Sequence, residues 1–181
     1  MLMDQNHRFS QAQAITATAV SAFYYDQLTG SLIATGSGYV ANTSYELGNA
    51  TLFGEDSGIG ISMMAPPRVV VTSLAGTPAA ATSLTIAIQG APDVSATLTY
   101  AGLTFVTYEA TGAIPLAAIL GSSRLASLWL PKRQVGAAMP RFYQLNYIVG
   151  GSNFTGLTVN ADITTGADDA IGTLGLYPAG Y

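Results

Sequence analysis

Cysteine is absent from this chain of 181 residues, histidine occurs once, and only 9% of the residues are charged. Without a thiol there is no disulfide, no cysteine-ligated zinc and no cysteine nucleophile. The single histidine, His7, stands in a polar opening with no packed element to hold it against a nucleophile, so a Ser–His–Asp relay is not expected. Nor is there a basic stripe. Ten acids oppose Lys132 and five arginines, the formal net charge is -4, and nothing in the order of residues could neutralise several phosphates, which removes nucleic acid as a partner. A long apolar run is missing as well. Val69 to Pro92 is uncharged, but Gly76, Pro78 and Gly90 interrupt it, and a spanning helix wants about 20 predominantly apolar residues. That segment reads as two strands with a turn, and no membrane partner is expected. Met1 to Ser10 shows no basic start leading into an apolar core, so the sequons at Asn42, Asn49 and Asn153 read as incidental.

What is present is apolar and alternating. Hydrophobic residues make up 49% of the chain, where soluble domains usually carry about a quarter of their residues as charges. A free monomer of this kind is short of solvating groups, and permanent life inside an assembly answers that shortage. Leu84, Ile86 and Ile88 alternate with Ser83, Thr85, Ala87 and Gln89, then Val94, Ala96 and Leu98 with Ser95, Thr97 and Thr99. Between them, Gly90-Ala91-Pro92-Asp93 suits a tight connection, so the pair reads as a hairpin. Tyr143, Leu145, Tyr147 and Val149 oppose Phe142, Gln144 and Asn146 until Gly150-Gly151-Ser152-Asn153, which should break the strand. Leu157, Val159, Ala161 and Ile163 repeat the pattern. Further strands are expected over 12–23, 31–35, 68–74, 103–110 and 124–130, and one short helix over Pro115 to Leu120, stopped by Gly121. The pattern predicts a single all-β domain, a sandwich or barrel. Residues 36–67 form a long glycine-rich excursion and 166–181 an extended tail.

Candidate chemistry is thin. Glu55-Asp56 and Asp168-Asp169 are adjacent acids in glycine-rich contexts, the usual composition of solvated turns; Asp26 follows Tyr24-Tyr25, a pairing compatible with a hydrolase carrying aromatic platforms. Asp162, Asp168 and Asp169 lack the spacing of a calcium loop. Gly36-Ser37-Gly38-Tyr39-Val40-Ala41 matches a dinucleotide fingerprint outside any strand–helix context, where it means little. Neither a cofactor nor a metal is expected. Tyrosine dominates the aromatics, and Tyr24, Tyr25, Tyr39, Tyr45 and Tyr181 fall in irregular segments where contact with a partner is the alternative to packing. Lys132-Arg133, with Arg141 further on, forms a small basic group that faces either solvent or an acidic partner.

Several segments together resemble the capsid cement (decoration) proteins of tailed bacteriophages. Met1-Leu2-Met3-Asp4 and Phe9-Ser10-Gln11-Ala12-Gln13-Ala14-Ile15-Thr16-Ala17-Thr18-Ala19 are similar to that family's opening, and Ile114-Pro115 with Leu128-Trp129-Leu130-Pro131 to its middle. Arg141-Phe142-Tyr143-Gln144-Leu145-Asn146-Tyr147 resembles one of its strands, and Tyr177-Pro178-Ala179-Gly180-Tyr181 its close. The segment from about Tyr24 to Asp56 is longer than the family pattern. The resemblance implies an antiparallel jelly-roll sandwich that binds the outer surface of the phage head, as a homo-oligomer (a dimer, with a trimer as alternative), on the major capsid protein. It implies a structural virion protein and no enzyme. An N-terminal arm, residues 1–10, and the C-terminal tail would then reach neighbours, making Leu2, Met3, Phe9, Tyr24, Tyr25, Tyr39, Tyr45, Lys132, Arg133, Tyr177 and Tyr181 the candidate contact residues. A carbohydrate- or receptor-binding module built on the excursion is the alternative function.

Overall fold

The computed structural model describes residues 8–26, 31–39, 68–74, 78–92, 99–121, 124–130 and 140–164. Within them the chain forms two antiparallel sheets. The strands are β1 (Arg8–Ala14), β2 (Ala19–Val20), β3 (Phe23–Asp26), β4 (Ser31–Ala34), β5 (Arg68–Ser73), β6 (Ala79–Ala91), β7 (Val106–Ala110), β8 (Ile114–Pro115), β9 (Arg124–Trp129), β10 (Phe142–Thr155) and β11 (Thr158–Thr164), with one helix, α1 (Leu116–Gly121). The smaller sheet runs β1-β11-β5-β9 and the larger β4-β3-β10-β6-β7, with β2 on β10 and β8 on β6. The all-β sandwich expected from the alternation is the architecture found.

The core lies between the sheets. Phe9, Val69, Val71, Ala126, Leu128, Val159 and Ala161 from the smaller sheet meet Tyr25, Leu84, Ile86, Ile88, Tyr143, Leu145 and Tyr147 from the larger. These are the inward positions of the period-two runs, because successive strand side chains point to opposite faces. Ile15, Ile119, Leu130, Phe154 and Leu157 complete this cluster.

Four expectations need correction. The run 12–23 is not one strand. The chain leaves the smaller sheet after Ala14 and enters the larger at Ala19, and the backbone bonds Ile15 N–H to Leu157 O (2.9 Å) and Phe154 N–H to Thr16 O (2.7 Å) carry the crossing. Residues 1–10 are not an arm throughout: Arg8, Phe9 and Ser10 belong to β1, with Phe9 and Ser10 fully buried. Gly150-Gly151 does not stop β10. The strand continues to Thr155 through register shifts against β6, with Gly151 at φ +77°, a conformation that suits glycine.

The fourth concerns the hairpin. Both edges of Leu84–Gln89 are occupied, one by β10 and the other by β8 and β7 (Leu84 opposite Ile114, Ile88 opposite Glu109). Residues 94–98 lie outside the described residues, and Thr99 caps a 3-10 turn, Tyr100–Gly102. Gly90 sits inside β6 rather than in a turn, because a Cβ there would lie 2.7 Å from Pro140 Cβ and 2.8 Å from the Tyr108 ring. Gly90→Ala is therefore expected to destabilise the sandwich by about 1–3 kcal/mol, the usual cost of overpacking, read as a lower urea midpoint at unchanged slope. An unchanged midpoint would show that the Pro140 segment shifts freely.

Candidate functional site

Two places gather polar and aromatic side chains. The first is closed. At the start of β10 both strand faces are buried, since Phe142 and Gln144 on the outer face are covered as fully as Tyr143 and Leu145 on the inner one. The cover is a second apolar cluster of Tyr24, Tyr39, Ala91, Leu103 and Phe142, edged by Ile33, Tyr100 and Phe105. Tyr39 lies 4.5 Å from Phe142 between ring centroids, and Tyr24 lies 5.3 Å from Tyr100 and 5.7 Å from Phe142.

Into this cluster the fold sets an ion pair. Arg141 Nε donates to Asp26 Oδ1 at 2.9 Å and Nη2 to Oδ2 at 2.8 Å, a two-pronged contact with both side chains wholly buried. The guanidinium carbon is also 4.7 Å from the Phe142 ring centroid and 5.3 Å from that of Tyr39. Asp26 ends β3 opposite Phe142, so the pair joins β3 to the residue before β10. Beside it runs a polar ladder: Tyr100 O–H to Gln144 Oε1 (2.5 Å), Gln144 Nε2 to Gln89 Oε1 (2.9 Å) and Gln89 Nε2 to Thr107 Oγ1 (3.2 Å).

The second place is the outer face of the smaller sheet, where Arg8, Arg68, Arg124 and Asp162 are half-buried. Arg8 Nε contacts Asp162 Oδ1 at 2.5 Å across β1 and β11. Arg68 on β5 lies opposite Trp129 on β9, with its guanidinium carbon 3.5 Å from the ring centroid, and Arg68 Nη1 donates to Ser127 Oγ at 3.3 Å. Arg124 lies opposite Thr72. The backbone N–H of Trp129 donates to Glu109 Oε2 of the other sheet at 2.8 Å, so the β9 and β7 margins are tied together.

Of the candidate contact residues, Phe9, Tyr24, Tyr25 and Tyr39 are interior, and their rings have no surface to offer a partner. The physical reason is that β3 is a sheet strand flanked by β4 and β10 rather than an irregular segment, and that Tyr39 folds back onto Phe142. Leu2, Met3, Tyr45, Lys132, Arg133, Tyr177 and Tyr181 lie outside the described residues, as do His7, Glu55, Asp56, Asp168 and Asp169. Asp26 is sealed against Arg141, so it has no access to a substrate, and Arg141 faces neither solvent nor a partner. Among the described residues no group of three His, Asp or Glu side chains could hold a metal ion, and no helix is long and apolar enough to cross a membrane. The Asp26–Arg141 pair, the ladder and the Trp129–Arg68 stack escaped the sequence reading. The available signal was the flanking: Phe23-Tyr24-Tyr25-Asp26 and Arg141-Phe142-Tyr143 each place an ion beside aromatics in a chain poor in charge.

Burial raises four tyrosines, Tyr24, Tyr100, Tyr108 and Tyr147, and two of them strongly. Tyr24 is pushed up to about 12, chiefly by loss of hydration and then by the Asp26 carboxylate. Tyr147 is raised further by burial, against the pull of its hydrogen bond to Ser10. A raised tyrosine means that the folded state keeps its proton where the unfolded chain has lost it. Their contribution is thus whole below the ordinary value of 10.0 and is lost as pH climbs from there through about 12. Urea midpoints flat up to about pH 9 and falling steeply above 10, in step with tyrosinate absorbance, are the expected outcome; a midpoint that holds to pH 12 contradicts it.

The sequence matches no protein-family model, and no curated protein is similar to it.

Proposed function

We propose that this chain is a structural virion protein. It binds the outer surface of an assembled icosahedral phage head and stabilises the shell of major capsid protein against internal DNA pressure. In this reading the sandwich has jelly-roll topology, copies associate as a dimer, and the protein has no catalytic role. The observation that carries it is the use made of Arg141–Tyr147, the strand by which the sequence resembles the capsid cement family. Arg141 closes the buried ion pair; Tyr143, Leu145 and Tyr147 fill the core; Phe142 and Gln144 hold the outer cluster and ladder. The residues of the resemblance are architectural, as they would be in a protein whose task is to hold shape. The low charge points the same way, since obligate interfaces are more apolar than ordinary surface. Binding only the assembled shell stabilises it by mass action, by about 2.7 kcal/mol per site at a free concentration 100 times the dissociation constant.

The test is cosedimentation of the purified chain with phage heads assembled without it, followed by heating of the decorated heads. Saturable binding and a higher temperature of head rupture are expected. Failure to bind, or binding to a glycan array instead, overturns the proposal.

A further inference from the structure

A sheet ends in a row of backbone N–H and C=O groups that can pair with another strand, and folded proteins usually blunt such margins. Here β1 is bulged, with register shifts between Arg8 and Ser10 and between Ser10 and Gln13, and with Ala12 at φ +45°. β9 gives its Trp129 N–H to Glu109 of β7, so those two margins close on each other. β2 gives the Val20 carbonyl to Gln13 Nε2, and β8 ends in Pro115. β4, Ser31-Leu32-Ile33-Ala34, carries none of these devices. It ends the larger sheet beside β3, in unbroken register from Phe23–Ala34 to Asp26–Ser31. It holds no charged residue, whereas β1 holds Arg8, β7 Glu109 and β9 Arg124. It is also apolar on both faces. Leu32 packs on the core between the sheets and Ile33 on the outer cluster, and both are only half-buried. Apolar residues on both faces are the mark of a strand inside a sheet rather than at its margin.

We propose that β4 pairs antiparallel with β4 of a second copy, joining two larger sheets into one. This gives an interface to the dimer of the reading above, on which the inference rests. The ladder fixes which groups are free for it. Thr35 N–H donates to Ala22 O at 2.9 Å, and alternate residues from there, Ile33 next, bond to β3. Leu32 lies between them in phase and turns its N–H and C=O away from β3, while Ala34 O is taken by Ser37 N–H at 2.9 Å. A two-fold axis normal to the sheet keeps core face beside core face and sets Leu32 opposite Leu32, where the two residues exchange N–H···O bonds. Such an interface brings a surface onto itself, so a charged margin would oppose its own charge; β4 brings none. Each copy also covers Leu32 and Ile33 of the other, which suits a chain with 9% charged residues. The main-chain bonds supply affinity, as in other strand additions.

The experiment follows self-association of the unaltered protein, Leu32→Pro, Ile33→Lys and Ile148→Lys by sedimentation. Folding is checked by circular dichroism, and binding to phage heads is read separately by cosedimentation. Amide exchange at Leu32 is measured across protein concentrations. A dimer is expected, with exchange at Leu32 slowing as it forms. Leu32→Pro removes one donor per copy and no bond to β3, so the dissociation constant of the dimer should rise by about 30-fold or more. Ile33→Lys puts like charges beside the axis and should raise it by about 10-fold. Ile148→Lys, at a position 42% exposed in β10, should leave it unchanged. Dimers of unaltered strength from both edge variants overturn the seam while leaving the proposed function standing. A trimer overturns it as well, because an edge paired with itself closes only about a two-fold axis. Protection at Leu32 that is already present in the monomer overturns it by showing the edge covered within one chain. Protection that appears only on heads assigns the edge to the capsid protein and overturns it too. Where the two edge variants disagree or one does not fold, exchange at Leu32 in the unaltered protein decides. If the chain stays monomeric at every concentration, the seam falls with the dimer, and cosedimentation alone judges head binding.

Discussion

Replacing Arg141 by alanine is expected to cost about 3–5 kcal/mol of stability, which for a domain of this size lowers the melting temperature by about 10 °C. The magnitude follows from what is left behind. Asp26 and Arg141 are both fully buried and grip each other through two short bonds, so removing one strands a charge away from water. The same logic makes Asp26→Ala comparable. Replacing both, as Asp26→Leu/Arg141→Met, removes the two desolvation penalties together and should come close to the unaltered protein, because apolar substitutes of similar volume often match a buried pair. If that double variant is as stable but its β3–β10 pairing is blurred in amide exchange, the pair acts in registry. Asp26 sits opposite Phe142, and a slip of one residue would turn Tyr25 and Tyr143 out of the core. A loss below about 1 kcal/mol for Arg141→Ala, measured by urea unfolding, would contradict the account.

Truncation through Ser10 is expected to be worse still. The three residues Arg8, Phe9 and Ser10 carry the Asp162 ion pair, a fully buried ring and the 2.8 Å hydrogen bond to the Tyr147 hydroxyl. Loss of a buried phenylalanine side chain alone costs about 3–5 kcal/mol. Ser10 also contacts Gln13 Oε1 at 2.7 Å, the oxygen that accepts from Ala22 N–H at 2.9 Å, while Gln13 Nε2 donates to Val20 O at 2.8 Å. That set ties β1 of one sheet to β2 and its surroundings in the other. Deletion of 1–10 should therefore leave little folded protein by circular dichroism. A cooperative native-like melt after this deletion would show that β1 is dispensable.

Much of the sandwich was legible because its core obeys simple alternation. Leu84-Ile86-Ile88, Tyr143-Leu145-Tyr147 and Val159-Ala161 all fell inward as their period required. Three kinds of information were not local. Which strand lies beside which is set by closure of the whole sheet, so β6 took β7 and β8 as neighbours rather than the run that follows it. Glycine was ambiguous: Gly151 bends a continuing strand and Gly90 makes room for Pro140 and Tyr108, and both resemble turn residues in sequence. Burial of both faces at Phe142 and Gln144 depends on Tyr39 and Tyr100 arriving from distant segments, which no window of ten residues contains. The candidate contact residues suffered most from this. Tyr24, Tyr25 and Tyr39 look irregular in sequence and are core in space.

The neighbouring placement of β1 and β11 has a mechanical consequence. Arg8 pairs with Asp162, two residues before β11 ends at Thr164, so the described fold is entered and left at one corner of the smaller sheet. Tension applied across those two points opens the β1–β11 ladder rung by rung, in unzipping rather than shear, and loads the Arg8–Asp162 contact first. A tether fixed at that corner would yield at low force there while the long β6–β10 seam stayed shut.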